Sequence, residues 1–336
     1  MAITLCGCCE SRITVYMRIL LTFLYIRAPH ANSSFTMITM RSRRALGYTP
    51  TMDLSRELDV ALDLARRCGA IALDYQRQGR DALEIRDKGH DQGLVTRADT
   101  ELNTRLVEAL HRAFPDDVIV AEESSDMVDA DRRSAARCWQ IDPIDGTSEY
   151  SRLESSWAIH IGLVIDGEAA LGVVHEPARG RISWGVNVGP KLGSWGQRER
   201  GQPFRLQRQA VGLDELRMVS SKSHVSPKTI EVMEALQIPS KRNLRLGSTG
   251  VKTMTLAWQE SDLYVHPSAG TKLWDTAAPH AVLRGAGCTL SDLLGRPLRY
   301  RGPSIGNDAG LLACGADEHS EIRDRLHALA ERWLSA

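Results

Sequence analysis

The stretch Trp139-Gln140-Ile141-Asp142-Pro143-Ile144-Asp145-Gly146-Thr147-Ser148-Glu149-Tyr150 places two carboxylates, a turn and a hydroxyl at the end of an apolar run. Cys138 to Ile141 reads as a short buried strand. Pro143 has no N–H to give a sheet ladder, so the strand is expected to stop there and the chain to turn. Asp142 and Asp145 then hang from one strand end. A spacing of three lets both carboxylates converge on one point, and hard cations such as Mg²⁺ take oxygen ligands of this kind while leaving positions open for phosphate oxygens. Gly146 lets the backbone pass close to a ligand, and the free N–H groups of a following helical turn would face an anion. The residues therefore predict a metal-and-phosphate site. Asp-Pro and Asp-Gly are also common turn dipeptides, which leaves a purely structural turn as the competing reading.

Around this stretch the chain is balanced in charge. It has 336 residues, room for one large domain or two modest ones sharing a cleft. Lys plus Arg and Asp plus Glu each number 42, so no global field draws nucleic acid or an anionic membrane, and anion binding must be local. The seven cysteines form no spaced framework. Cys6, Cys8 and Cys9 cluster near the N-terminus while Cys68, Cys138, Cys288 and Cys314 are scattered through apolar segments, the pattern of a reducing, cytoplasmic compartment. Cys6-x-Cys8-Cys9 has no second Cys/His cluster at zinc-finger spacing. Residues 1–51 differ in character, with an apolar run from Ile19 to Ile26 between Arg18 and Arg27 that is too short to span a bilayer as a helix. They read as a signal peptide with a poor cleavage site or, the reading preferred here, as a dispensable extension before a folded region opening at Met52.

Leu54, Leu58, Ala61, Ala65, Cys68, Ala72 and Tyr75 recur at spacings of three and four, one face of a long helix that Gly79 and Arg80 end. Leu83-Glu84-Ile85 is expected to begin a short strand, and Lys88 to Gly93 a polar loop. A helix follows from about Ala98-Asp99, with Leu102, Leu106, Ala109, Leu110 and Ala113 inward; Asp99 in its first turn suits the helix dipole. Val118 to Ala121 is a compact strand ending in Glu122-Glu123, and acids at the C-terminal end of a buried strand suit a cleft. Trp157 to Ile165, Ala170 to His175 and Ile182 to Val188 read as an antiparallel meander, and Gly189 to Gly201 as a basic surface hairpin. After Pro203 the texture turns to α/β. Met218-Val219-Ser220 leads into Ser221-Lys222-Ser223-His224, and Gly247-Ser248-Thr249-Gly250 opens a helix through Lys252 in the manner of loops that cradle anions. Asp275 starts a small-residue helix, where capping alone would account for it. A strand at Ala309 to Cys314 and an amphipathic helix carrying Ile322, Leu326, Leu329 and Trp333 close the chain.

Glu122-Glu123-Ser124, Trp139 to Thr147 and Trp274 to Ala278, in this order, resemble the inositol monophosphatase superfamily of Mg²⁺-dependent, lithium-sensitive phosphatases, from about residue 53 to the C-terminus. Haloacid-dehalogenase-type phosphatases also carry Asp-x-Asp-Gly-Thr, but there one residue separates the acids near the start of the domain; here two residues separate them in mid-chain. Within the superfamily the chain looks most like the 3′(2′),5′-bisphosphate nucleotidases. Thr147-Ser148-Glu149-Tyr150 resembles their Gly-Thr-x-Glu-aromatic form, Ser221 to His224 resembles their nucleotide-contacting segment, and Val265-His266-Pro267 lacks the acid that inositol enzymes carry ahead of the Trp-Asp motif.

The resemblance implies an αβαβα layered sandwich of the inositol monophosphatase/fructose-1,6-bisphosphatase kind, an α/β (α+β) fold with an N-terminal α+β half over residues 52–205 and a C-terminal α/β half over 206–336. It implies Glu122, Asp142, Asp145, Asp275 and the Ile144 carbonyl as ligands of two or three Mg²⁺ ions, and Asp99 with Thr147 as the pair that positions and deprotonates the attacking water. Substrate phosphate is expected against Glu122, Ile144, Asp145, Gly146, Thr147 and Asp275, and the rest of the nucleotide against Ser221, His224, Ser248 and Lys252. The loop at Ser248 is usually richer in glycine in the family. His90, His160, His175 and His280 are assigned to structure or surface. The implied partner is a small phosphorylated nucleotide, with no nucleic acid, no membrane span and no indication of oligomeric state. The implied reaction releases the 3′-phosphate of 3′-phosphoadenosine 5′-phosphate, clearing a by-product of sulfate activation. Inositol monophosphate or fructose bisphosphate is the alternative substrate, and a nucleotide-binding regulator without turnover is the alternative class.

Overall fold

The structure, a computed structural model, describes residues 52–89, 93–124, 129–189, 192–222 and 226–335, all within one compact unit. Expectations for residues 1–51, including the Cys6 cluster, and for His90 and His224 lie outside the described residues. The long helix α1 (Ser55–Gln78) buries Leu58, Ala61, Ala65, Cys68 and Ala72, the expected face, and stops where Gly79 turns to φ +92°. Leu83 to Ile85 is not a strand. A 3₁₀ turn at Arg80–Leu83 ends with Glu84 left-handed at φ +46°, and pairing begins only at the hairpin of β1 (Arg86–Asp87) and β2 (Leu94–Val95).

Helix α2 (Arg97–Ala113) follows, and then strands β3 (Val118–Ala121), β4 (Arg137–Asp145), β5 (Ala158–Ile165), β6 (Glu168–Glu176), β7 (Arg181–Val186), β8 (Gly193–Arg198) and β9 (Phe204–Leu206). These form a seven-stranded sheet in sequence order, with only the β3–β4 pair parallel. Short helices α3 (Asp129–Ser134) and α4 (Thr147–Ser151) flank β4. The expected surface hairpin at 189–201 is corrected: Gly193–Arg198 is a strand of this sheet, and Gly196 leaves room beside it for the Trp258 ring.

The second sheet contains β10 (Met218–Ser221), β11 (Asn243–Leu246), β12 (Leu263–His266), β13 (Cys288–Ser291) and β14 (Leu311–Gly315), in the order β11-β10-β12-β14-β13. Helices α5 (Pro227–Ala235), α6 (Thr249–Ala257), α7 (Leu273–Gly285) and α8 (His319–Leu334) pack on it. Alternation along its strands shows the layering. Val219, Tyr264, Leu311 and Ala313 point to a core shared with α6, α7 and the first sheet, while Met218, Leu263, Val265, Leu312 and Cys314 point to a core under α8. The opposite face of the first sheet, with Trp139, Ile141 and Ile161, packs on α1 and α2. The layers run α1/α2, seven-stranded sheet, α6/α7, five-stranded sheet, α5/α8: an αβαβα sandwich.

Candidate active site

In a regular strand, residues three apart point to opposite faces, so Asp142 and Asp145 could not share a site on an undistorted β4. Strand β4 does not stop at Pro143, as expected, but bulges there. Asp142 pairs with His160 and Asp145 with Ala158, so three steps on β4 face two on β5. The extra residue restores parity and turns both carboxylates toward α7. Pro143 suits this position because the bulge removes a ladder bond that it could not have donated. Asp142 Oδ1 accepts from Ile144 N–H at 3.0 Å, which fixes the inner turn. Gly146 follows at φ +95°, and a Cβ there would sit 2.9 Å from the Ser156 carbonyl oxygen and 3.1 Å from Ser248 Cβ.

Asp275 arrives on α7, which lies close against the same face of the sheet. Gly162, Gly172 and Gly185 pair in a row across β5, β6 and β7, and a Cβ at any of them would strike α7 backbone at Ala277, Ala278, Ala281 or Val282. Bare backbone on one side and alanines on the other bring the helix start to the β4 bulge. There Asp275 Oδ2 accepts from Lys272 N–H at 2.6 Å, so it does cap its helix, and its carboxylate also meets two others. Oxygens of Asp142, Asp145 and Asp275 all lie within 4.8 Å of one another. Asp142 is pushed well above the usual carboxylate range by burial first, and then by the charges of Glu122, Asp145 and Asp275. Asp275 is raised by burial, then by Asp145 and Glu122. Acids that destabilise one another's charge in a buried cluster of hard oxygens fit a divalent cation, which removes the conflict.

Asp145 is held differently. Its Oδ2 accepts from Ser248 Oγ and Gly250 N–H, each at 2.5 Å, and its Oδ1 from Thr249 N–H at 3.1 Å. The small-residue loop opening α6 does cradle an anion, and in this structure the anion is Asp145. His160, assigned above to structure or surface, is fully buried with Nε2 3.3 Å from Asp145 Oδ2, and a Cβ on Gly250 would overlap its ring. Glu122, one residue past β3, is the charge that raises Asp142 most after burial, and it accepts from Lys88 Nζ at 2.8 Å; the same ammonium also contacts Glu123. Burial works against the Lys88 charge, but the two glutamates outweigh it and hold its pKa above the ordinary value. In the sequence Lys88 reads only as part of a polar loop, because nothing local to residues 88–93 signals two glutamates more than 30 positions away.

Asp99 caps α2. Its Oδ2 accepts from Thr96 N–H at 2.8 Å and Thr96 Oγ at 2.5 Å, a capping box that leaves Oδ1 for the Thr147 hydroxyl at 3.1 Å. Thr147 Oγ is also 3.1 Å from the Ile144 carbonyl oxygen, so one proton has two acceptors. Burial pushes Asp99 up to about 7, against the lowering effect of its Thr96 bonds. Ser221 lies at the C-terminal end of β10, paired with Leu246 at the end of β11. Lys252 is buried on α6 with Nζ 5.1 Å from the centroid of the Tyr264 ring, and makes no ion pair among the described residues. His175 and His280 are structural, bonded to the Ala65 carbonyl and the Tyr300 hydroxyl.

The αβαβα sandwich and the acid cluster at its central bulge define a class. The Inositol monophosphatase family matches residues 53–332, and the chain belongs to it; it is a phosphoric monoester hydrolase. Among curated proteins it is 31% identical over 245 residues to the "3'(2'),5'-bisphosphate nucleotidase CysQ" of Escherichia coli, covering 72% of this chain and 93% of that one. It is 28% identical over 296 residues to the "3'(2'),5'-bisphosphate nucleotidase 1" of Rattus norvegicus, covering 77% and 91%. The fold is shared with the inositol monophosphatase of Anabaena (TM-score 0.64, 24% identity, 82% of this chain and 97% of that one). It is likewise shared with CysQ of Bacteroides thetaiotaomicron (TM-score 0.62, 23% identity, 77% and 97%). No helix among the described residues is long and apolar enough to cross a membrane.

Proposed function

We propose that this chain is a Mg²⁺-dependent 3′(2′),5′-bisphosphate nucleotidase that hydrolyses the 3′-phosphate of 3′-phosphoadenosine 5′-phosphate to AMP and phosphate, so clearing a by-product of sulfate activation. The observation that carries the phosphatase chemistry is the convergence of Asp142, Asp145 and Asp275 beside the Asp99–Thr147 pair. What supports the nucleotide as substrate is the name shared by the curated relatives at 31% and 28% identity.

In this reading Glu122, Asp142, Asp145, Asp275 and the Ile144 carbonyl hold two or three Mg²⁺ ions. Bound there, the metal supplies positive charge against the phosphate dianion and the leaving alkoxide and lowers the pKa of the attacking water. Asp99 accepts the Thr147 hydroxyl proton as a hydrogen bond, which turns a Thr147 lone pair toward the water. As the water oxygen bonds to phosphorus and the P–O bond to the ribose breaks, one water proton moves onto Thr147 Oγ while the Thr147 hydroxyl proton passes to Asp99 Oδ1, and the departing ribose oxygen takes up a proton from solvent. The substrate phosphate lies against Glu122, Ile144, Asp145, Gly146, Thr147 and Asp275. Lys252, a buried ammonium without a carboxylate partner among the described residues, offers a charge for the 5′-phosphate that stays. Ser221 and His224 contact the remainder of the nucleotide.

Phosphate release from 3′-phosphoadenosine 5′-phosphate, inositol 1-phosphate and fructose 1,6-bisphosphate, measured side by side with and without Mg²⁺ and with lithium, tests this reading. Expected is a strong preference for the bisphosphonucleotide that is lost in Asp145→Asn. Equal turnover of the sugar phosphates would overturn the substrate, and nucleotide binding without turnover of any of the three would overturn the enzyme reading in favour of a regulator.

A further inference from the structure

Ser248 sits where a side chain is costly. Its backbone, at φ +58° and ψ +136°, lies in a region that residues with a Cβ seldom enter. Nothing about capping α6 requires that conformation, since Ser226 caps α5 by the same kind of bond with extended backbone at φ −73°. What the conformation achieves at 248 is contact on both sides of one hydroxyl. Ser248 Oγ accepts from Val251 N–H at 3.0 Å and donates to Asp145 Oδ2 at 2.5 Å. It is also buried, at 7% exposure, with its Cβ facing Gly146. The two backbone amides of Thr249 and Gly250 reach Asp145 as well, but only the hydroxyl comes from a side chain that substitution can remove, at the loss of its cap to Val251 N–H.

We propose that Ser248 is a positioning residue for Asp145: its hydroxyl fixes the rotamer of the carboxylate that faces the cation site, and this contact is what retains a serine in a backbone conformation suited to glycine. The inference rests on the reading that the aspartates hold Mg²⁺, and it gives Ser248 a role through Asp145, in place of the direct nucleotide contact that the resemblance implies. Groups that orient a metal ligand cost about 10–100-fold in metal affinity when removed.

The test is Mg²⁺ binding by calorimetry, with no substrate present, alongside the melting temperature of the metal-free protein, for wild type, Ser248→Gly and Ser248→Ala. The glycine variant removes the hydroxyl and the strain together, so its metal-free melting temperature is expected to equal or exceed that of wild type while its Mg²⁺ dissociation constant rises at least about tenfold. The alanine variant keeps the strain and loses the hydroxyl, so it is expected to melt lower and bind Mg²⁺ as poorly. Wild-type Mg²⁺ affinity in both variants would overturn the proposal and leave Ser248 as a helix cap. No Mg²⁺ binding by wild type would overturn the metal reading itself and the proposal with it.

Discussion

Asp99 caps its helix and, in the proposed reading, serves the chemistry with the same side chain. One of its oxygens closes a capping box with Thr96 and the other receives Thr147, so the helix cap aims the carboxylate. Burial raises its pKa from 3.8 to about 7, which means that the folded state holds a proton that the unfolded chain has released between those values. For an acid shifted upward, stability falls as pH rises through that window. Asp99→Asn removes this dependence while keeping an oxygen that can accept from Thr96. In EDTA its melting temperature is therefore expected to gain on wild type from pH 4 to 7, by at most about 4 kcal/mol in stability. Parallel melting curves across that range would contradict the assignment. Read as a sequence, Asp99 in a first helical turn carried only the helix-dipole argument. The contact to Thr147 spans 48 residues and no local pattern encodes it.

At the scale of elements, the site exists because a bulge and a helix meet. The spacing of Asp142 and Asp145 suggested convergence, but the strand was expected to end at Pro143, and the parity of a strand would have set the two acids on opposite faces. The bulge was not legible because it shows only in the register with β5. The helix start at Asp275 was legible from its small residues, but the reason for them was not. The glycines opposite lie on three different strands, at 162, 172 and 185. Gly172→Ala is expected to push α7 off the sheet and cost about 1–3 kcal/mol of stability, read from the urea midpoint. The same variant is expected to bind Mg²⁺ more weakly, because Asp275 moves with α7; unchanged affinity would show that the close approach of helix to sheet does not set the site.

For the whole molecule, the sandwich was accessible through the texture change after Pro203 and the resemblance carried by three motifs. The alternation along β10, β12 and β14 that assigns their side chains to two cores is written in single residues of short strands, and becomes meaningful only with the layers in place. The acid cluster joins β4 of the first sheet to α7 between the sheets, so a cation bound there belongs to the folded state alone. Mg²⁺ at about 100 times its dissociation constant is expected to add about 2.7 kcal/mol to stability, seen as a rise in melting temperature over EDTA. The rise should grow with pH as protons cease to compete for Asp142 and Asp275, whose pKa values are raised; a shift independent of pH would place the cation elsewhere. The central claim is that these acids and the Asp99–Thr147 pair form one hydrolytic site. Its most direct test is the turnover of 3′-phosphoadenosine 5′-phosphate by Thr147→Ala at saturating Mg²⁺. The account predicts a kcat lower by about 10²–10⁴-fold with KM little changed, whereas wild-type kcat in this variant would contradict it.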